Sequence, residues 1–265
     1  MSTSTRKIAV ITGASSGIGA VYADRFAKRG YDLVLVARRA DRLKSLAESI
    51  SSTHGVAVEP LVADLATDEG QTRVAQFLAS SPAVSVLVNN AGTARLGPMI
   101  GSALDDSLAQ IALNITALTR LTHAVLPGMK ARNEGLIINI ASALSLHSLP
   151  ISSVYSGTKA FVLNFSRGLQ QELSDSAVKV QVVLPAATAT ELWDQSGVPL
   201  AALNPETVMQ TDVMVDAAMV ALDKGESITL PSVADAGLIE QFETARAALF
   251  ASTNTGKVAP RLASV

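Results

Sequence analysis

Tyr155 and Lys159 lie four residues apart in Tyr155-Ser156-Gly157-Thr158-Lys159, and Ser142 stands upstream, just past the apolar run Leu136-Ile137-Ile138-Asn139-Ile140. If the stretch from Ser153 onward is helical, an i, i+4 pair shares one face with Cβ atoms roughly 5–6 Å apart, near enough for an ammonium to act on a phenol. A phenol, a cation that tunes it and a hydroxyl that holds an oxygen make a site for moving a proton to or from a carbonyl or alcohol oxygen. Free tyrosine titrates near pH 10, so using its phenolate near neutrality requires a shift of roughly three units, about 4 kcal/mol. That need arises in the oxidative direction, and the ammonium of Lys159 is the available source, because a nearby ammonium favours the phenolate. Alone, this spacing is common in chains of such length, and its weight rests on what surrounds it.

The surrounding elements must hold these groups in a cleft. On a helical wheel Tyr155, Lys159 and Val162 fall within about 60° of one another. Beside them runs a stripe of Val154, Phe161, Phe165 and Leu169, expected to anchor the helix while the reactive edge faces the cleft. Short β-rich apolar runs recur at 8–11, 33–36, 56–62, 84–88, 136–140, 178–184 and 228–230, with helix-length segments between them. Strands that are apolar throughout, rather than alternating, are what a parallel sheet covered on both faces requires. The pattern predicts a doubly wound α/β fold, a mostly seven-stranded parallel sheet with helices on both faces. With no repeat, low-complexity stretch or Pro/Gly-rich linker before about residue 185, the chain reads as one domain over 1–265, with an irregular substrate-binding excursion at about 186–204.

Directly after the first run comes Thr12-Gly13-Ala14-Ser15-Ser16-Gly17-Ile18-Gly19. The helix it opens carries apolar Val21, Tyr22 and Phe26 and is stopped by Gly30, a C-terminal cap position. Glycines between a strand and a helix permit a tight turn and bring backbone N–H groups at the positive helix end against a pyrophosphate, as in a Rossmann fold. The loop lacks the Lys-Ser/Thr ending of a P-loop, which disfavours phosphoryl transfer. The second run ends Val36-Ala37-Arg38-Arg39. A site for NAD would place Asp or Glu there to hold the ribose hydroxyls, whereas Ala37 is uncharged and Arg38 offers a planar fork to a 2′-phosphate. NADP(H) is therefore expected over NAD(H).

Bulk properties exclude other chemistries. A net charge of −2 over 265 residues gives no nucleic-acid footprint. There is no cysteine, and the three histidines, His54, His123 and His147, are far apart, so no metal site is expected. The polar residues 1–7 run into an apolar stretch too short for a signal peptide, and no apolar run is long enough to span a membrane. A soluble, cytoplasmic protein with neither membrane nor nucleic-acid partner is expected.

Taken together, Thr12-Gly13-x-x-x-Gly17-x-Gly19, Asp64-Leu65 after the third strand, Asn89-Asn90-Ala91-Gly92 after the fourth, Asn114, Ser142 and Tyr155-x-x-x-Lys159 resemble the short-chain dehydrogenase/reductase family in its single-domain form. The resemblance covers most of the chain. It implies that Asp64 and Leu65 border the adenine, that Asn90, Ala91 and Gly92 line the cofactor, and that Lys159 also bonds the nicotinamide ribose. Asn114 would hold a water in a proton relay from Lys159; read by itself, it could equally satisfy a backbone carbonyl. Ser15, Ser16, Ile18, Arg39, Pro185 and Thr188 complete the implied cofactor set. NADPH would supply a hydride, Tyr155 the proton and Ser142 a hydrogen bond to the carbonyl. In the oxidative direction the positive nicotinamide ring of the oxidised cofactor would join Lys159 in favouring the phenolate.

Two positions depart from the family pattern. Pro185-Ala186-Ala187-Thr188 has Ala186 where a glycine is usual, and Ser15-Ser16 replaces the basic residue of some NADP-preferring members, leaving Arg38 to carry much of the preference. The candidate pocket of Ala94, Leu96, Leu144, His147, Leu192 and Trp193, with Ser142 and Tyr155, is mostly apolar. It favours a small-to-medium hydrophobic ketone, aldehyde or secondary alcohol. A sugar-nucleotide-modifying relative is disfavoured by the missing Gly-x-x-Gly-x-x-Gly loop, and a cofactor-sensing binding protein without chemistry is disfavoured by the intact Ser142, Tyr155 and Lys159. The resemblance also implies a homodimer or homotetramer.

Overall fold

The computed structural model describes residues 6–263; the first five residues, which make up most of the polar opening stretch, and the last two lie outside the described residues. Strands β1 (Ile8–Thr12), β2 (Asp32–Ala37), β3 (Val58–Val62), β4 (Val84–Asn89), β5 (Gly135–Ile140), β6 (Val178–Val183) and β7 (Ile228–Thr229) form one sheet in the order β3-β2-β1-β4-β5-β6-β7. All pairs are parallel. Alternate residues of each strand go to opposite faces. Ala9, Ile11, Leu33 and Leu35 pack with Tyr22, Phe26, Leu43 and Met214 from α1 (Gly17–Lys28), α2 (Ala40–His54) and α8 (Thr211–Asp223). Val10, Val34, Val36 and Leu87 pack with Val74, Leu121 and Leu169 from α3 (Asp68–Ser80), α5 (Leu118–Arg132) and α6 (Ser153–Glu172). Because both faces lose water, the central strands are apolar on both faces over most of their length, with Asn89 and Asn139 among the buried polar exceptions.

The edges differ. Glu59 and Pro60 of β3 are exposed, and Pro60 is tolerated because β3 pairs with β2 alone. The sequence pattern starts this strand at Val56, but Val56 is a buried residue ahead of the ladder, which begins at Val58.

Strand order reverses between β1 and β4, so the crossovers leave in opposite directions and open a crevice at the carboxyl ends of these two strands. Around residue 114 the helical pattern does not stay α-helical. Between α4 (Leu104–Ile111) and α5 lies a π-helical turn, Ala112–Ala117, whose wider winding rotates Asn114 relative to a continuous α-helix. The excursion at 186–204 is more ordered than expected. It holds α7 (Leu192–Ser196) and a 3-10 turn at Leu200–Ala202, and a second 3-10 turn, Pro205–Thr207, follows it. A parallel bridge between Thr188 and Met209 closes its base, with Ala189 N and Met209 N each donating at 2.9 Å. A two-residue bridge leaves no periodic trace in a sequence.

By backbone packing the chain divides into two compact units, one up to Pro231 and the other Ser232–Val265. Every predicted site residue belongs to the first. The second carries α9 (Ala236–Ala251), capped by Asp235, whose carboxylate accepts from Gly237 N at 2.8 Å. Among the described residues no helix is long and apolar enough to cross a membrane.

A buried polar chain sets the position of α6. Asn89 Nδ2 donates to Thr122 Oγ1 and Asn139 Oδ1, both at 3.0 Å; Asn139 Nδ2 donates to Ser166 Oγ at 2.9 Å, and Ser166 Oγ to Val162 O at 2.7 Å. It ties α5, β4, β5 and α6 through atoms that have no water to fall back on. Asn139→Ala removes the middle of this chain and is expected to cost about 1–3 kcal/mol. Urea unfolding checks this, and an unchanged midpoint would remove the chain from the forces holding α6.

Candidate active site

The crevice between β1 and β4 is closed at its floor by Thr12. Its Oγ1 donates to Val88 O at 3.1 Å and accepts from Asn90 N and Ala91 N, both at 3.0 Å. Asn90 Nδ2 returns to Thr12 O at 2.8 Å and Gly13 O at 3.3 Å. The glycines are explained first by this packing. A Cβ on Gly13 would sit 2.8 Å from Asn90 Nδ2, and one on Gly19 would sit 2.5 Å from Gly13 O; Gly13 and Gly17 also have φ of +66° and +57°. Ile18 packs against the first-face core.

At the head of α1, Ser16 makes no side-chain cap and the first turn holds no acidic residue, so the positive helix end is left for an anion. This glycine loop, its uncapped helix and the arginines at the end of β2 fit a nucleotide pyrophosphate with a further phosphate nearby. Leu65 is buried, and Ala63 N bonds Ala37 O at 3.0 Å, which sets Asp64 beside the end of β2.

The two arginines differ from expectation. Arg38 points out, its side chain 62% exposed and 4.0 Å from Asp64 Oδ2. It is Arg39 that reaches the glycine loop, with Nε and Nη2 at 3.1 and 2.9 Å from Ser15 Oγ and Nη2 at 2.8 Å from Ser16 Oγ.

On the far side of the crevice Ser142, Tyr155 and Lys159 come together. Ser142 follows β5 and caps the 3-10 turn Ala143–Ser145, accepting from Leu144 N at 3.1 Å. Ser145, which sequence reasoning missed, receives Ser142 N at 3.3 Å and donates to Lys159 O at 2.9 Å, locking the turn to α6. Lys159 Nζ donates to Ile140 O at 2.9 Å and lies 5.8 Å from the centroid of the Tyr155 ring. Asn114 meets this group through Thr158, whose Oγ1 accepts from Asn114 Nδ2 at 3.0 Å. Thr93 takes the second amide hydrogen and gives its own N–H to Oδ1, both at 2.9 Å. One acceptor lone pair on Asn114 is left over. Gly92 is wedged between the two, a Cβ there being 3.2 Å from Asn114 Oδ1 and 3.5 Å from Lys159 Nζ.

The anchoring stripe holds in part: Leu169 is buried and Phe165 packs against the core, whereas Phe161 is exposed and stacks on Phe165 at 5.6 Å. Lys159, Val162, Leu163 and Ser166 are also on the buried face of α6, so Lys159 is itself held in the core while Tyr155 is half-buried.

That burial decides the electrostatics. It pushes the Tyr155 phenol up to about 12, with the Ser142 hydrogen bond drawing it partway back. It brings the Lys159 ammonium down to about 8. The charged form of Lys159 is itself disfavoured, and Nζ is turned to a carbonyl rather than to the phenol oxygen.

The predicted pocket is only partly assembled. A cavity of about 300 Å³ lies beside Val154, lined by Arg95, Leu96, Met99 and Ile151 among others. Of the predicted residues only Leu96 borders it. Ala94 is buried beneath, Leu144 and Leu192 are half-buried elsewhere, and His147 is exposed. Trp193 Nε1 donates to Thr188 O at 2.8 Å, so this ring braces α7. Pro185 O accepts from Ala143 N at 2.8 Å, while Ala186 is exposed. Among the described residues no three His, Asp or Glu cluster as a metal site would need.

This fold and crevice are those of a known family. A family model described as short chain dehydrogenase matches residues 7–198, and the chain belongs to the short-chain dehydrogenase/reductase family. A short-chain dehydrogenase from Sphingobium yanoikuyae in complex with NADPH superposes with a TM-score of 0.92 at 43% identity, covering 96% of this chain and 99% of that one. The bulky-bulky ketone specific alcohol dehydrogenase from Comamonas testosteroni gives 0.88 at 34%, covering 97% and 99%. Very-long-chain 3-oxoacyl-CoA reductase-A of Danio rerio is 37% identical over 190 residues, 70% of this chain and 59% of the relative. The chain spans about 60% of the length of such curated relatives.

The lowered Lys159 has a measurable consequence. Between its folded value of about 8 and its ordinary 10.5 the unfolded chain binds more protons, so stability rises with pH, by up to about 3 kcal/mol in total. The cost of holding the charged form is fully present below pH 8. Above pH 10 the raised Tyr155 works in the opposite sense, which leaves pH 8–10 as the window. Lys159→Met is expected to flatten the rise seen in urea unfolding at pH 7.5, 8.5 and 9.5; equal slopes in both proteins would contradict the shift.

Proposed function

We propose that the protein is an NADP(H)-dependent oxidoreductase that interconverts a carbonyl and an alcohol on a small-to-medium, largely apolar substrate. The observation that carries this is the meeting of Ser142, Tyr155 and the buried Lys159 at the end of β5 and the start of α6, across a crevice from the glycine loop. The cofactor supplies a hydride when bound. The chain supplies the rest. The glycine loop and the head of α1 take the pyrophosphate, Asp64 and Leu65 border the adenine, and Asn90, Ala91 and Gly92 line the path to Tyr155. Pro185 and Thr188 lie where the base of the excursion meets the crevice. Ser142 orients the carbonyl oxygen and Tyr155 protonates it.

A phenol pushed up to about 12 rests protonated at neutral pH, which is the form reduction consumes. Lys159, brought down to about 8, gives and takes protons near physiological pH and is suited to reprotonating the phenol, with Asn114 holding the relay water on its free lone pair. The preference for NADP(H) is supported by Ala37 in place of an acid, by Arg38 and Arg39 at the end of β2, and by the similar NADPH complex. An apolar ketone is supported by the ketone and 3-oxoacyl substrates named for the relatives. Exposed Leu104, Leu108, Ile111 and Phe161 on α4 and α6 support a homodimer or homotetramer, which a monomeric mass at micromolar concentration would refute.

NADPH oxidation followed against a panel of hydrophobic ketones tests the reading. NADPH is expected to be used far more efficiently than NADH, and equal efficiencies would overturn the cofactor assignment. Tyr155→Phe is expected to reduce turnover by at least about 100-fold while NADPH still binds. Near-normal turnover in that variant would remove Tyr155 as the proton donor.

A further inference from the structure

Glu191 lies next to α7 and takes no part in the chemistry above, yet it holds Arg39, which reaches the glycine loop, together with Arg42 from the first turn of α2. Arg39 Nη1 donates to Oε2 at 2.7 Å, and Arg42 Nη1 donates to Oε1 and Oε2 at 2.6 and 2.9 Å. Arg39 at the same time holds Ser15 and Ser16. The two guanidinium groups keep the Glu191 carboxyl below the usual carboxylate range, so it is charged at neutral pH. A carboxylate therefore sits on the arginine fork of the cofactor-binding half of the crevice. An incoming phosphate needs the same donors.

The segment that carries Glu191 spans the crevice. Thr190 lies against Gly17, where a Cβ would be 3.2 Å from its Cγ2. Trp193 is bonded to Thr188 O. At the far end Leu96 N donates to Ser196 O at 2.6 Å, and Arg95 Nη1 donates to Gln195 O. Residues 188–197 thus form a strap tied to Arg39 and Arg42 at one end and to the rim of the substrate cavity at the other.

We propose that Glu191 is an internal occupant of the 2′-phosphate site: it holds Arg39 and Arg42 until the cofactor's 2′-phosphate displaces it, and that exchange frees the cofactor end of the strap. This rests on the NADP(H) reading above. Exposed ion pairs of this kind are individually weak, and a phosphate monoester carrying nearly two charges outcompetes a single carboxylate for two guanidinium groups. Because the competitor is part of the chain, it weakens the apparent affinity for the 2′-phosphate by the fraction of time the arginines are occupied. It leaves nucleotides without that phosphate unaffected. Glu191 is thereby a specificity and positioning residue.

Trp193 is the single tryptophan of the chain and lies in the strap, so its fluorescence reads the exchange without turnover. The probes are adenosine 2′,5′-bisphosphate and 5′-AMP, each titrated into wild type and Glu191→Ala, with acrylamide quenching of Trp193 followed throughout. The bisphosphate is expected to bind wild type more tightly than 5′-AMP and to raise Trp193 quenching toward the level of the free variant. Glu191→Ala is expected to bind the bisphosphate about 3- to 10-fold more tightly than wild type, with 5′-AMP affinity unchanged. If the bisphosphate is preferred but Trp193 does not respond, or the variant gains no affinity, the role of Glu191 is overturned and the NADP(H) reading stands with Arg38 carrying it. If the bisphosphate binds no better than 5′-AMP, both are overturned.

Discussion

The contact on which this site depends is the meeting of the β1 and β4 loops through Thr12. One hydroxyl satisfies the N–H groups of Asn90 and Ala91 and the carbonyl of Val88 at once. Leaving the part-buried Ala91 N–H without a partner would cost about 1–3 kcal/mol, so the bend after β4 depends on the last side chain of β1. The reversal of strand order places these two ends side by side, and the glycine loop then has to pass so close to Asn90 that side chains at 13 and 19 do not fit. The glycine spacing is therefore a packing requirement before it is a ligand requirement, and the turn that opens the head of α1 to an anion follows from it.

The second constraint is the burial of α6 along its reactive edge. A lysine that is almost fully buried costs free energy in its charged form, and the structure offsets this with one carbonyl rather than a carboxylate. The result is an ammonium that still holds its proton at neutral pH but gives it up far more readily than a free lysine. The same burial keeps the neighbouring phenol protonated. Two groups whose ordinary values nearly coincide are driven about four units apart by one environment, the phenol to about 12 and the ammonium to about 8. Separation of this kind is how paired groups acquire distinct acid and base roles. The buried Asn89–Asn139–Ser166 chain has a place in this, because it holds the helix at the depth at which both shifts arise.

Much of this was legible in the residues. Continuous apolar runs told the sheet, because burial on both faces leaves no alternation, and the glycine loop and Tyr155-Ser156-Gly157-Thr158-Lys159 told where the crevice chemistry lies. What was not legible depends on angles and on distant partners. The helical wheel put Phe161 inward with Phe165 because it ranks residues by polarity, whereas Phe161 is exposed and α6 also buries Lys159, Ser156 and Ser166 with hydrogen bonds found only in three dimensions. The π turn at Asn114 leaves no compositional mark. Arg38 and Arg39 are adjacent and chemically identical, and only the path of the chain into α2 decides that the second one turns to Ser15 and Ser16. Ser145 and Glu191 act through partners far along the chain, at Lys159 and at Arg39 and Arg42.

The substrate side was the least legible for a physical reason. The cofactor half is built on strand ends fixed by the sheet, whereas the cavity rim is built from loop against loop, Leu96 on Ser196 and Gly97 on Ile151. Such contacts use backbone groups, which every residue type provides, so the side chains carry little record of them. The walls of the cavity are correspondingly free to vary while the proton-transfer groups remain attached to β5 and α6. A rim held by few backbone bonds and one ion-paired carboxylate is also the part of the fold most easily moved. The chain thus joins a rigid chemical centre to a border whose position is set by charge, through Glu191 on two arginines.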